Sequence, residues 1–236
     1  MNLPTIVTLG RVALAPVVGW LAFSPDWSWR ATGFCLFVVA AVSDYIDGTL
    51  ARTRNEVTDA GKLLDPLADK LLLACTLGAM YVLQAPPSET LVRSIAGIAD
   101  AGRLPFLLVI GDTSIAIGLP FVVVAIVIGR ELLMTAFRQL ASRRGVMIAA
   151  IGPAKWKTGF QSVWVGAAYC WFATSTLARA EGWGNEPLWH SWALFNAFVG
   201  TVTMVAAVAL TLWSLWLYGR KYGAAVFAAR RAPASP

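Results

Sequence analysis

Residues 44–69 read Asp44-Tyr-Ile-Asp47-Gly48-Thr-Leu-Ala51-Arg52-Thr-Arg-Asn-Glu-Val-Thr-Asp-Ala-Gly61-Lys-Leu-Leu-Asp65-Pro-Leu-Ala-Asp69, placing four aspartates inside or beside hydrophobic runs. An ionised carboxylate in a membrane segment is expensive unless it faces a wet cavity and has cationic company. Asp44, Asp47, Asp65 and Asp69 are hard, acceptor-only oxygen ligands, so the natural compensator is divalent magnesium or manganese. Asp44 and Asp47 are three residues apart, Asp65 and Asp69 four, and each spacing puts two carboxylates on one helical face. Gly48 and Ala51 fall on or near the face of the first pair and leave room for a flat or extended ligand. Arg52 adds a guanidinium suited to diphosphate oxygens. Two adjacent helices joined by residues 53–62 therefore assemble the parts of a two-metal phosphoryl-transfer site.

The surroundings of this stretch are those of a membrane protein. The chain has 58% hydrophobic and 14% charged residues and a mean hydropathy of +0.65, far from a soluble domain. Crossing a hydrocarbon core of about 30 Å takes ~20 apolar residues as helix. Such runs lie near 4–23, 31–51, 63–83, 115–136, 159–178 and 192–217. The reading is all-α and polytopic, with six transmembrane helices. The first span can also begin as an interfacial segment.

Lysine and arginine near span ends are retained on the cytoplasmic side. Fifteen fall on the side holding the N-terminus, the loops near 52–62 and 137–158 and the tail, among them Arg11, Lys70, Arg130, Arg138, Lys155 and Lys157; the other side has only Arg30, Arg93, Arg103 and Arg179. Both termini and the aspartates are thus expected at the cytoplasmic face of a cell's inner membrane. Trp27, Trp29, Trp183, Trp189 and Trp192 gather at the opposite span ends as interfacial anchors. A cleaved signal peptide competes for residues 1–23, but a basic leading segment is missing and Arg11 interrupts the apolar stretch.

Cys35, Cys75 and Cys170 sit in apolar runs without CxxC spacing and read as core thiols. His190 falls in an outer loop beside Trp189, so no histidine is left for acid–base work at the inner face. The organisation reads as a catalytic membrane domain over 1–218 followed by a basic cytoplasmic tail, 219–236, on an anionic lipid surface. Residues 84–114, with Pro86, Pro87, Asp100, Arg103, Pro105 and Asp112, are expected to form an outer loop with one interfacial helix. No nucleic-acid partner is expected.

The pattern Asp44-x2-Asp47-Gly48-x2-Ala51-Arg52-x8-Gly61-x3-Asp65-x3-Asp69 resembles, without departure, the signature of the CDP-alcohol phosphotransferase family. The resemblance implies a homodimer of six-helix protomers that moves a phosphatidyl group from CDP-diacylglycerol to an alcohol and releases CMP. By that analogy Asp44, Asp47, Asp65 and Asp69 bind two ions, Mg2+ or Mn2+, and Gly48, Ala51, Arg52 and Gly61 shape the CDP site. Asp69 would also be the base, although spacing alone does not single it out among the carboxylates.

The acceptor must be read outside the signature. Asn2-Leu3-Pro4-Thr5 with Thr8 and Arg11, Gly129-Arg130-Glu131 with Arg138, and Lys155-Trp156-Lys157-Thr158 with Gln161 resemble the bacterial phosphatidylglycerophosphate synthases of that family. Ala154 stands where they often have glycine. Arg130, Arg138, Lys155 and Lys157 would meet an acceptor that carries its own phosphate, with Asn2, Thr5, Thr8 and Arg11 supporting the acceptor site. Glycerol 3-phosphate fits. Taken singly, these cations equally fit topology and headgroup contact; inositol phosphate and phosphatidylglycerol stay open as acceptors, serine is less favoured, and the role of Glu131 is undecided. The outer loop at 84–114 is longer than the family leads one to expect. A non-catalytic protein that binds or conducts cations would explain the aspartates but not Gly48, Ala51, Arg52 and Gly61, and an arginine would oppose cation passage.

Overall fold

The computed structural model describes residues 3–54, 59–97, 102–110, 113–149 and 152–228, excepting the side chains of 3–7, 44–54, 59–65, 95, 153–155, 225, 227 and 228. Asn2 lies outside the described residues, as do the side chains of Thr5, Asp44, Asp47, Gly48, Ala51, Arg52, Gly61, Asp65 and Lys155. Seven α-helices and one hairpin are described: α1 (Leu3–Leu21), α2 (Trp27–Arg54), α3 (Asp59–Gln84), α4 (Thr90–Ile95), β1 (Phe106–Ile110), β2 (Thr113–Ile117), α5 (Phe121–Arg143), α6 (Gly152–Glu181) and α7 (Pro187–Ala228). Five of the six expected spans fall on one long helix each, the fourth, 115–136, does so only from Phe121 onward, and α4 falls within the segment 84–114 where one helix is expected.

The helices end where the backbone chemistry makes them end. Gly145 follows α5 with φ +72°, a left-handed conformation that glycine adopts without Cβ strain. Its N–H donates to the Ser142 carbonyl at 3.0 Å and that of Val146 to Ala141 at 2.9 Å, so two of the last carbonyls of α5 are satisfied. Gly182, φ +72°, turns the chain after α6. Pro16 and Pro66 lie inside α1 and α3, where each removes one backbone donor from the ladder.

α6 is the central helix, packed on α2 and α7, while α1 lies along α3. Trp164, Tyr169, Trp171 and Phe172 of α6 are fully buried, and Tyr169 stacks on Phe37 of α2 with centroids 5.9 Å apart. Small residues bring backbones close: a Cβ on Gly19 would stand 3.0 Å from the Cys75 carbonyl oxygen, so α1 meets α3 almost backbone to backbone.

The hairpin departs from the all-α expectation. β1 and β2 pair antiparallel from Phe106↔Ile117 to Ile110↔Thr113, and residues 115–117, read as the start of the fourth span, close β2 instead. Helix α5 begins only after Pro120, which is extended at φ −69°, ψ 147°. Two backbone bonds strap the hairpin to the end of α3: Leu104 N–H to the Leu83 carbonyl at 2.9 Å and Leu119 N–H to that of Gln84 at 2.8 Å. These carbonyls belong to a helix C-terminus and have no intrahelical donor, which explains why an apolar stretch here becomes strand. Trp171 Nε1 donates to the Pro105 carbonyl at 2.9 Å, and the Phe106 ring lies against Gly200 of α7.

Among the described residues, Pro66–Gln84 and Pro187–Ala224 are long and apolar enough to cross a membrane. On α7 the polarity is inverted relative to a soluble protein: Phe198 and Trp213 are 63% and 54% exposed while Thr203, Thr211 and Ser214 are buried. In lipid, apolar side chains face outward and hydroxyls find partners inside. Helix α5 carries Arg130 and Glu131 well inside its length, so its crossing does not follow from hydropathy. α7 runs past the 218/219 boundary without a break as far as Ala228.

Candidate active site

One cavity of about 170 Å3 gathers residues from five helices: Arg11 of α1, Ala40 and Ala41 of α2, Asp69 and Lys70 of α3, Glu131 of α5, and Lys157 and Gln161 of α6. Arg11 is 5% exposed and Asp69 57%, with Nη1 of the arginine donating to Oδ1 of the carboxylate at 3.1 Å. One charge of this pair is therefore desolvated and the other half-exposed. Thr8 is buried one turn before Arg11. Helix periodicity relates the signature to this cavity, since Asp44 stands four residues after Ala40 on the continuous α2 and Asp65 four before Asp69 on α3.

Glu131, undecided from sequence, is the centre of a charge cluster. Its Oε1 accepts from Arg130 Nη1 at 3.0 Å and also from Lys157 Nζ. Arg130 Nη2 donates to Ser214 Oγ of α7 at 3.0 Å. The cluster thus ties α5, α6 and α7 together while two cations share one carboxylate. Arg138 instead places its guanidinium over the Tyr218 ring, 5.9 Å from the centroid, a cation–π contact. Of the four cations assigned to an acceptor phosphate, Lys157 lines the cavity; Arg130 and Arg138 are directed to α7, and the Lys155 side chain lies outside the described residues. Lys70 and Thr158 line the cavity as well. Lys70 was legible as the residue after the last signature aspartate, but its charge was read as topology.

A model of the CDP-alcohol phosphatidyltransferase family matches residues 1–213. The chain belongs to that family. It is similar, at 32% identity over 94% of its length, to an Arabidopsis thaliana CDP-diacylglycerol–glycerol-3-phosphate 3-phosphatidyltransferase 1 of chloroplasts and mitochondria, of which it spans 62%. A Pseudomonas fluorescens protein of the same enzyme name is 29% identical over 93% of this chain and 89% of its own length. A rice cardiolipin synthase (CMP-forming) is 32% identical over 94% of this chain, which spans 57% of it.

The described carboxylates of the cavity are Asp69 and Glu131, the latter taken up by Arg130 and Lys157. Asp69 lines the cavity with a half-exposed carboxylate. Among the described residues no three His, Cys, Asp or Glu side chains converge as a metal cluster; three of the four aspartate side chains are not among them.

Proposed function

We propose that the protein transfers the phosphatidyl group of CDP-diacylglycerol to glycerol 3-phosphate, giving phosphatidylglycerophosphate and CMP. The observation that carries this reading is the placement of Asp69, Lys70 and Lys157 around one small cavity: a carboxylate able to take a proton stands among cations able to take a phosphate. The acceptor's hydroxyl oxygen bonds to the phosphatidyl phosphorus, its proton passes to a carboxylate oxygen of Asp69, and the bond from that phosphorus to the bridging oxygen breaks as CMP leaves. Arg11 orients Asp69 through their ion pair. Lys157, held by Glu131, and Lys70 steady the acceptor phosphate. Arg130 and Arg138 shape this mouth through Glu131 and Tyr218, with Lys155, Asn2, Thr5 and Thr8 as further support.

Asp44, Asp47, Asp65 and Asp69 would hold two Mg2+ or Mn2+ ions, with Gly48, Ala51, Arg52 and Gly61 forming the CDP site. Bound there, the ions polarise the diphosphate and neutralise charge on the departing CMP. The protein is further proposed to be a homodimer of six-span protomers in the cytoplasmic membrane, with 1–218 as catalytic domain and 219–236 as a cytoplasmic tail. A cysteine introduced at Ser235 should react with a membrane-impermeant thiol reagent only after cells are opened; labelling of intact cells would reverse the topology.

The deciding experiment is CMP release from CDP-diacylglycerol by purified protein with glycerol 3-phosphate, inositol phosphate, serine or phosphatidylglycerol. Glycerol 3-phosphate should give the highest rate. Phosphatidylglycerol is the second reading, because a rice relative carries the name cardiolipin synthase (CMP-forming), and the phosphatidylglycerol arm of the assay decides between them.

A further inference from the structure

The other end of the bundle carries a second, larger cavity that the reaction does not use. It has about 910 Å3, lies between the hairpin and the facing ends of α6 and α7, and is lined by Arg103, Arg179, His190, Ser114 and Ser175, with Trp171 and Trp189 as aromatic walls. Lys157 and Arg179 are 22 residues apart on the unbroken α6, a separation of about 33 Å at 1.5 Å per residue. The cavity is therefore distinct from the site around Asp69.

Among the described lining residues the formal charges are Arg103 and Arg179. Arg103 is 6% exposed; among the described residues its Nε and Nη2 are buried without a partner, while Nη1 donates to the Val82 carbonyl. Arg179 Nη2 donates to the backbone carbonyl of Arg103 at 3.2 Å, which holds the two arginines side by side. Arg93 is close enough to repel Arg103, and Arg179 to repel Arg30. Burial first, and then Arg93, keeps the Arg103 guanidinium below its ordinary pKa. The arginines assigned by sequence to the outer side thus converge instead of dispersing, and a buried guanidinium short of acceptors calls for an anion.

Beside this cavity, sharing Trp189 as a wall, an apolar groove of about 590 Å3 is lined by Leu177, Trp183, Leu188 and Trp192, with Thr174 and Glu186. Trp171 and Trp189 stack at 5.4 Å, which keeps the partition between cavity and groove rigid. A phosphate-sized anion hole joined to a Trp-lined apolar groove matches a molecule with a charged head and a hydrocarbon chain, and tryptophan favours the membrane interface where such molecules lie.

We propose that this outer cavity binds the phosphate of an anionic membrane phospholipid, whose acyl chain occupies the adjoining groove. Arg103 and Arg179 hold the phosphate, Ser114, Ser175 and His190 complete its polar surround, and Trp189 separates head from chain. The site is independent of which alcohol accepts at the other end.

The test uses the full chain in phosphatidylcholine nanodiscs doped with phosphatidylglycerol, with retained lipid read by native mass spectrometry and melting temperature measured in parallel. Wild type should retain phosphatidylglycerol over phosphatidylcholine and melt higher with it. Arg179→Gln should weaken that retention roughly tenfold, the loss of one charge-assisted contact, and leave CMP release at the wild-type rate. Arg103→Gln should act in the same direction, and Arg179→Gln stands as the test if loss of the Val82 bond unfolds it. Lys157→Gln, at the opposite end, should keep the lipid preference. A preference lost in Lys157→Gln but kept in Arg179→Gln, or equal retention of both lipids by wild type, would overturn the proposal. In a separate arm, inorganic phosphate stabilising as strongly as phosphatidylglycerol would assign the site to the free ion and overturn the lipid assignment.

Discussion

Arg11 Nη1 donates to Asp69 Oδ1 at 3.1 Å, joining the first helix to the last aspartate of the signature across 58 positions of sequence. The arginine is buried and the carboxylate half-exposed, so the N-terminal helix sets a fixed cation behind the residue proposed as base. Arg11→Ala should lower kcat for CMP release roughly ten- to hundredfold, the worth of a charge-assisted hydrogen bond at about 1.5–3 kcal/mol. Arg11→Lys should recover part of it. An Arg11→Ala enzyme with wild-type kcat would remove α1 from the site.

Asp69→Asn should bind CDP-diacylglycerol far better than it turns it over, since a base acts in the transition state whereas several groups hold the donor. Chelation should abolish wild-type activity and magnesium or manganese restore it, because four unscreened carboxylates repel one another. Equilibrium binding of the donor, measured beside steady-state kinetics, checks the first expectation. Full turnover in metal-free buffer would dismiss the second.

Lys157→Ala should raise KM for glycerol 3-phosphate roughly ten- to hundredfold with little change toward CDP-diacylglycerol, by the same charge-assisted magnitude. Arg138→Ala, whose guanidinium rests on Tyr218, should have the smaller effect. The contrast separates a residue lining the cavity from one supporting its wall, and varying each substrate in turn measures it.

Glu131→Ala would leave Arg130 and Lys157, both nearly buried, without their shared carboxylate. Removing one partner of a buried charge cluster costs up to about 3–5 kcal/mol, reduced here because Glu131 retains some exposure. Thermal unfolding in detergent should show a clear loss, smaller for Glu131→Gln. An unchanged melting temperature in Glu131→Ala would make the cluster incidental.

Gly200→Ala should destabilise the docked hairpin. The added Cβ would stand 2.5 Å from the Phe106 ring, an overpacking worth about 1–3 kcal/mol. Phe106→Leu should rescue the double variant by withdrawing the ring, and additive destabilisation of the two changes would show that they do not meet.

The positions of most of the long helices and the family were legible in the residues themselves. A carboxylate in an apolar run is intolerable without a polar site, and helical spacing of three and four residues dictates which carboxylates share a face. The one helix expected within 84–114 has a counterpart in α4, Thr90–Ile95. The hairpin also had a local signal, with Gly111-Asp112 between Phe106–Ile110 and Thr113–Ile117 offering the pair that two-residue turns favour, but the apolar run from Ile115 onward matched a span equally well. What decided strand over helix was the end of α3, whose Leu83 and Gln84 carbonyls take the Leu104 and Leu119 amides, a contact between distant segments that no local pattern encodes. The same holds for the charges. As sequence, Arg130, Arg138 and Lys157 are equivalent cations near span ends; only packing brings Lys157 into the cavity through Glu131 and turns Arg138 onto Tyr218. Charge type and spacing are local properties of a chain, whereas the partner each charge finds is set by how the helices meet.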